Sequence, residues 1–510
     1  MLSQLKEIKI WLESQKDSLC YLCLFIILVG IVLRLVQYFS NRSLWGDESY
    51  LALNLVNRSY FELLQPLDYN QAAPPGFLWI EKLAIQLFGN NEYSMRLFPL
   101  IAGIIALIAF YQFGKWAVSA IALPIALALF AFLKYPTYYS TEVKQYSSDL
   151  MVALLLCLLL IPLYDQIISK RRSLLLGLLG ICAIWFSHPA IFVLAGLELA
   201  HLGTIPAKNR KAILINRLPV YLLWAVGFGS LYFLTLARAM KNEFLQTAWG
   251  GEYPDSVFNV IWLLDSLGRV FYRPLGFFGK TDGIAIAAFI IGCITFWRKK
   301  RDKFLILIAP IAVTLVAAYF HKYPFRSRLI LFLVPFFLLI IAEGTAYLLS
   351  QVNQRRNYVA IAGVVMACLL LFPPLLNSGK LLVHPHTVHE IRPVIEYIKT
   401  HQKPGDGLYI DSGILPFEYY APKYGYSKSD YVPGYNNFLN LATFSVQDWE
   451  NFKRQSSHLR DKQRVWFLFS GDRIDETLVK PNLDRIGQRV DVFRQPGAFT
   501  YLYELKGGVR

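Results

Sequence analysis

Apolar runs of roughly 20 residues, each closed by a polar or charged turn, recur along the chain as far as Leu376. A helix needs about that length to cross a hydrocarbon layer of roughly 30 Å, because each residue adds about 1.5 Å. The runs predict about eleven transmembrane helices, at 19–39, 96–114, 117–133, 148–165, 173–187, 190–203, 217–237, 282–297, 304–320, 329–349 and 358–376. The fifth and sixth are short and are divided at Ser187-His188-Pro189. After Asn377 the pattern changes. "HTVHEIRPVIEYIKTHQ" has a helical apolar period, whereas "KPGDGLYI", "RVWFLF", "RVDVF" and "FTYLYEL" read as strands with their turns. The expected organisation is an α-helical polytopic membrane domain, 1–376, which includes a long outer loop, 40–95, followed by a small soluble α/β domain, 377–510.

Composition agrees, since 55% apolar and 17% charged residues among 510 describe a chain solvated by lipid. Basic residues accumulate in every second loop: Lys170 to Arg172, Lys208 to Lys211, Arg298 to Lys303, and Arg355 with Arg356. Such loops face the cytoplasm, which places the amino terminus inside and residues 40–95, 134–147, 238–281, 321–328 and 377–510 outside. The net charge of +16 is then mainly a topology signal, and no nucleic-acid partner is implied. Residues 1–18 carry Leu2, Leu5, Ile8, Trp11 and Leu12 at helical spacing, the pattern of a helix lying in the inner interface. All six cysteines lie inside the proposed spans, so disulfides do not brace the outer segments. Cys20 and Cys23 read as packing residues.

Charged residues within the spans are few. Arg34 and Glu198 lie toward span ends, and Glu343, deeper in the tenth, has no evident reason. The unusual polar clusters are all in outer segments. "DESYLALNLVN" predicts a helix starting near Asp47, which puts Asp47 and Glu48 at its positive end and favours their ionised forms. An anionic aspartate there can take a proton from an incoming hydroxyl or amine, while its neighbour holds an acceptor or a metal ion; alternatively Asp47 caps the helix and Glu48 is solvated. In "YYSTEVKQYSSDL", Glu142, Gln145 and Asp149 stand at i, i+3 and i+7, and share a face if the fourth span begins there as a helix, with Lys144 pointing elsewhere. In "HKYPFRSRL", Lys322, Arg326 and Arg328 occupy an outer loop that contains no acid, an arrangement suited to a phosphate or to lipid headgroups. His188 reads as a packing histidine or a metal ligand. The soluble domain lacks a dinucleotide fingerprint and reads as a cap or docking module.

The order of "LWGDESYLALN", "YNQAAPPGFLWIEKLAIQLFG", "EYSMRLFP" and "YYSTEVKQYSSDL", followed by many spans and an external carboxy-terminal domain, resembles the GT-C glycosyltransferases. The similarity is to the branch of the protein O-mannosyltransferases and lipid A aminoarabinose transferases, and it is best over the first 165 residues. The resemblance implies a GT-C fold in the plasma (inner) membrane and an inverting hexosyl- or pentosyltransferase. Such an enzyme moves one sugar from a polyprenyl (undecaprenyl) phosphate donor to a lipid, polysaccharide or protein acceptor on the extracytoplasmic face. Asp47 matches the family's loop acid, the base or acceptor-positioning carboxylate, and Glu48 its companion. Asn70 and Gln71, ahead of Pro74 and Pro75, match part of the donor or acceptor pocket. Ala73 stands where many relatives have a histidine, so that residue's role does not carry over. Glu142, Gln145 and Asp149 join the pocket in this reading, and Lys322, Arg326 and Arg328 hold the phosphate. A divalent metal ion is left open as a cofactor, with Glu48, Glu142 and His188 as candidate ligands. Membrane lipids are the other expected partners. The competing classes are a lipid-linked saccharide flippase, which requires a polar route through the bilayer, and a non-catalytic scaffold presenting the carboxy-terminal domain.

Overall fold

The computed structural model describes residues 16–164, 166–353, 357–434, 459, 462–471 and 476–505. The proposed interfacial helix up to Lys16, as well as Arg355 and Arg356, therefore lies outside the described residues. Internal contacts divide the chain into two compact units, Met1–Ser40 with Arg58–Pro385, and Asn41–Asn57 with His386–Arg510. The expected outer loop 40–95 is thus shared between the units, and the membrane-side unit continues past 376 to Pro385.

The first unit is helical, and all eleven predicted runs fall on helices. Among the described residues, eight helices are long and apolar enough to cross a membrane, including Glu92–Ala117, Arg301–Tyr319 and Ser327–Leu349, while Ala122–Phe132 and Ala190–Thr204 are apolar but shorter. The protein is a multi-pass α-helical membrane protein. Its fifth and sixth runs are separate helices, Lys170–Phe186 and Ala190–Thr204. Helix ends differ from hydropathy where capping decides them. Asn91 accepts the Ser94 N–H at 2.9 Å, so the second long helix starts at Glu92, ahead of its apolar run.

Ser327–Leu349 is the centre of this unit, with 94% of its apolar window buried. It touches helix Lys280–Lys299 backbone to backbone. A Cβ on Gly292 would stand 2.0 Å from the Ile340 carbonyl oxygen, and one on Gly344 2.0 Å from that of Ala288. Dispersion at this spacing holds helices together where lipid removes any hydrophobic incentive. The three charged exceptions are all partnered. Arg34 donates to the Gly30 carbonyl at 2.9 Å. Glu198 binds Arg217 at 2.6 Å and Tyr221 at 2.7 Å. Glu343, unexplained in sequence, accepts from Lys300 at 2.9 Å and from the Ser119 N–H at 2.7 Å. Glu343 meets partners from the turns at Ser119 and Lys300, whereas both partners of Glu198 come from helix Ala207–Leu231.

The second unit contains a five-stranded mixed sheet in the order β2-β1-β3-β5-β4. Its strands are β1 Gly407–Ile410, β2 Val432–Pro433, β3 Arg464–Ser470, β4 Gly487–Gln495 and β5 Ala498–Leu505. β1 is parallel to β2 and β3, and β5 runs antiparallel to β3 and β4. The unbroken apolar run of β3 suits its central place, buried on both faces. Helix Ile391–His401 covers the sheet with Ile391, Val394, Ile395 and Ile398, a single helical stripe. Gly344→Leu should lower the melting temperature of the detergent-solubilised protein by several degrees, since overpacking costs about 1–3 kcal/mol. Gly283→Ala, where a Cβ meets nothing within 4 Å, should leave it unchanged; equal melting of the two variants would refute the close contact.

Candidate functional site

The opening acids lie in the second unit. Helix Gly46–Asn57 starts where the sequence places it, with Asp47 and Glu48 in its first turn. Glu48, however, is not solvated: it is 0% exposed. Its carboxylate pairs with buried Arg42 at 3.4 Å and accepts the Trp45 N–H at 3.4 Å. This is half of a capping box closed by an ion pair, and removing one member of such a buried pair costs roughly 3–5 kcal/mol. Asp47, on the same turn, is half-buried and stands beside Tyr50, whose hydroxyl is raised by burial and by the Asp47 charge.

The other predicted residues lie in the first unit. Asn70 accepts from Asn242 at 2.8 Å, and Gln71 accepts from the Lys144 ammonium. Lys144, expected to point away, is buried against this loop. Tyr69 and Asn70 both have left-handed φ, 59° and 55°, a conformation that costs side-chain-bearing residues energy and that concentrates at functional sites.

Glu142 does not share a helical face with Gln145 and Asp149. Its backbone is extended (φ −109°, ψ 138°), Gln145 is the N-cap, and the helix Tyr146–Leu160 begins after it. All three are nevertheless buried. Glu142 and Arg328 both act on the Tyr139 hydroxyl, which burial first and Glu142 next hold well above its ordinary range while Arg328 opposes. The Arg328 guanidinium lies 5.5 Å from the centre of the Tyr146 ring. Asp149 lies beside Ser187 and is close enough to Tyr323 to affect it. Gln145 Oε1 and His188 Nε2 are buried without hydrogen-bond partners, a costly condition that native interiors rarely contain. Ser187 had no signal in the sequence, since only tertiary packing brings the turn between two helices to the start of a third.

Lys322 and Arg326 stay in the loop, where His321 takes a left-handed φ, whereas Arg328 sits in the first turn of helix Ser327–Leu349, whose Ser327 is left-handed too. The absence of acids from that loop misleads. Arg326 pairs with Glu252 at 2.9 Å and reaches Asp265 at 3.6 Å, both from the segment between two long helices. Lys322 is exposed. Glu81 is fully buried, neither of its carboxylate oxygens has a hydrogen-bond partner, and burial raises its pKa well above the carboxylate range. Lys82 instead packs its ammonium 5.9 Å over the Tyr60 ring.

The metal reading does not fit these donors. Glu48 is engaged by Arg42, and among the described residues no three His, Cys, Asp or Glu side chains form a group that could hold a metal ion.

The model of the dolichyl-phosphate-mannose-protein mannosyltransferase family matches residues 72–197. No curated protein sequence matches the chain. Among solved structures, ArnT from Cupriavidus metallidurans bound to undecaprenyl phosphate aligns with a TM-score of 0.53 and 16% identity, covering 94% of this chain and 98% of its own. The archaeal oligosaccharyltransferase AglB from Archaeoglobus fulgidus, in complex with an inhibitory peptide and a dolichol-phosphate, aligns with a TM-score of 0.55 and 11% identity, covering 96% of this chain and 74% of its own. The chain has the GT-C glycosyltransferase fold. The resemblance seen in the sequence is borne out, and the GT-C match extends well beyond the first 165 residues. The family match spans Glu142 to Asp149 together with Ser187 and His188.

Burial lowers the His188 imidazole to about 4 from an ordinary 6.5. The folded chain holds the neutral ring, so this contribution to stability is intact above about 6.5 and is lost as pH falls toward about 4. His188→Gln should therefore narrow the difference in melting temperature between pH 7 and pH 4.5 relative to the parent; an identical difference in both proteins would show that the ring is not buried neutral.

Proposed function

We infer that the protein is an inverting glycosyltransferase of the extracytoplasmic membrane face that moves a single sugar from a polyprenyl phosphate donor to an acceptor hydroxyl or amine. The observation that carries this reading is the buried group of Glu142, Gln145, Asp149 and Ser187, with half-buried His188 next to it, in a GT-C fold: Glu142 and Arg328 both act on Tyr139, and Gln145 and His188 each keep an unpaired polar atom. Acids and amides can orient sugar hydroxyls, and arginines suit a lipid phosphate. In this scheme the acceptor oxygen or nitrogen bonds to the anomeric carbon while the bond from that carbon to the phosphate oxygen breaks. The electron pair leaves with the polyprenyl phosphate, and the acceptor's proton passes to the Asp47 carboxylate. Positive charge on the sugar in the transition state favours nearby carboxylates, and negative charge on the departing phosphate favours Arg326 and Arg328. Glu48, held by Arg42, acts by keeping the helix start in place. The alternation of basic loops supports the extracytoplasmic face.

Mass spectrometry of envelope glycolipids, polysaccharides and proteins from cells with and without the protein should reveal one added sugar mass and its carrier. Asp47→Asn, expressed at the parent level, should not restore that product, because removing a general base costs about 10²–10⁴ in rate; full restoration would eliminate the mechanism. Arg326→Ala and Arg328→Ala should each raise the donor concentration needed for half-maximal transfer about tenfold or more, as expected for a lost charged hydrogen bond. An unchanged donor requirement would dismiss their phosphate role.

A further inference from the structure

Three consecutive backbone N–H groups ahead of the Asp47 helix are taken up by three side chains. The Ser43 N–H reaches Glu390 at 3.1 and 3.3 Å, the Leu44 N–H reaches the Tyr420 hydroxyl at 2.8 Å, and the Trp45 N–H reaches Glu48 at 3.4 Å. The exchange at Ser43 is reciprocal. Its hydroxyl donates to Glu390 at 2.9 Å and accepts the Arg392 N–H at 3.2 Å. Glu390 is the N-cap of helix Ile391–His401, yet its carboxylate makes no cap bond to its own helix. Ser43 supplies that cap, and Glu390 serves Ser43. The Arg392 guanidinium adds a 2.6 Å bond to the Asn41 carbonyl.

Glu390 is itself fixed. Its N–H donates to the Pro496 carbonyl at 2.8 Å, in the turn between β4 and β5. That turn packs closely against the segment before Glu390: a Cβ on Gly497 would lie 2.3 Å from the Val388 carbonyl oxygen, and the residue has φ +64°, so only glycine fits there. A group that accepts both the N–H and the O–H of one residue fixes the direction of the chain there.

We propose that Glu390 is a positioning residue for transfer, which through Ser43 sets the orientation of the first turn of helix Gly46–Asn57 and so of Asp47. This rests on Asp47 being the base, as argued above. The carboxy-terminal domain is then part of the catalytic apparatus, because its β4–β5 turn and its first helix hold the loop that bears the base. One oxygen of Glu390 accepts both the N–H and the O–H of Ser43; Gln at 390 keeps such an oxygen, whereas Ala keeps none.

The test uses the full-length protein in lipid nanodiscs for hydrogen exchange, and the same variants in the deletion strain for the transferred sugar mass. Glu390→Ala should speed amide exchange in the peptide covering 41–49 about tenfold or more, in keeping with loss of a charged hydrogen bond. It should leave β3 protected and reduce product by a similar factor, and Glu390→Gln should largely restore both. Normal product despite faster exchange, or unchanged exchange, would overturn the proposal. If Glu390→Ala also deprotects β3, Ser43→Ala decides: local loosening with loss of product supports the proposal, and parent-like product overturns it. Asp47→Asn run in parallel separates the two readings. Full product from that variant removes the base itself, whereas its inactivity alongside an active Glu390→Ala removes only the positioning role.

Discussion

A polar group withdrawn from water must find a partner, and in this protein that requirement governs both units. Within the bundle it explains why Glu198, Glu343 and Arg34 each meet an opposite charge or a carbonyl. In the second unit it ties Ser43, Leu44 and Trp45 to Glu390, Tyr420 and Glu48. The same rule makes the exceptions informative. Gln145 and His188 keep buried polar atoms without hydrogen bonds, and both stand at the ends of adjoining helices.

Charge is arranged to be committed in some places and reserved in others. Arg42 commits Glu48 to holding a helix start, which sets it apart from half-buried Asp47 on the same turn. Arg326 is shared between Glu252 and Asp265, so a phosphate arriving there would compete with two carboxylates. Arg328 lies instead against Tyr146 and acts on Tyr139 with Glu142. Left-handed φ angles at Tyr69, Asn70, His321 and Ser327 show that both polar loops hold conformations their side chains do not favour. Packing of neighbouring segments sustains them.

The helices, the strands and the start of the Asp47 helix could be read along the chain, because each rests on a period or a cap spanning a few residues. The face expected for Glu142, Gln145 and Asp149 could not. It assumed one helix from Glu142 onward, whereas the extended residue at 142 and the cap at Gln145 delay the helix to Tyr146. Arg326 failed similarly: its acids come from 252 and 265, and a loop cannot reveal what another segment brings to it.

Lipid as this chain's solvent, the positions of its helices and strands, and the start of the Asp47 helix were legible along the chain, since apolar length, period and helix capping are local quantities. Only the tertiary structure decided which polar residues are engaged. The bond of Ser43 to Glu390 spans 347 positions, and that of Lys144 to Gln71 spans 73. Pairing of this kind depends on which buried groups face one another once the backbone has closed, and no period along the chain encodes it.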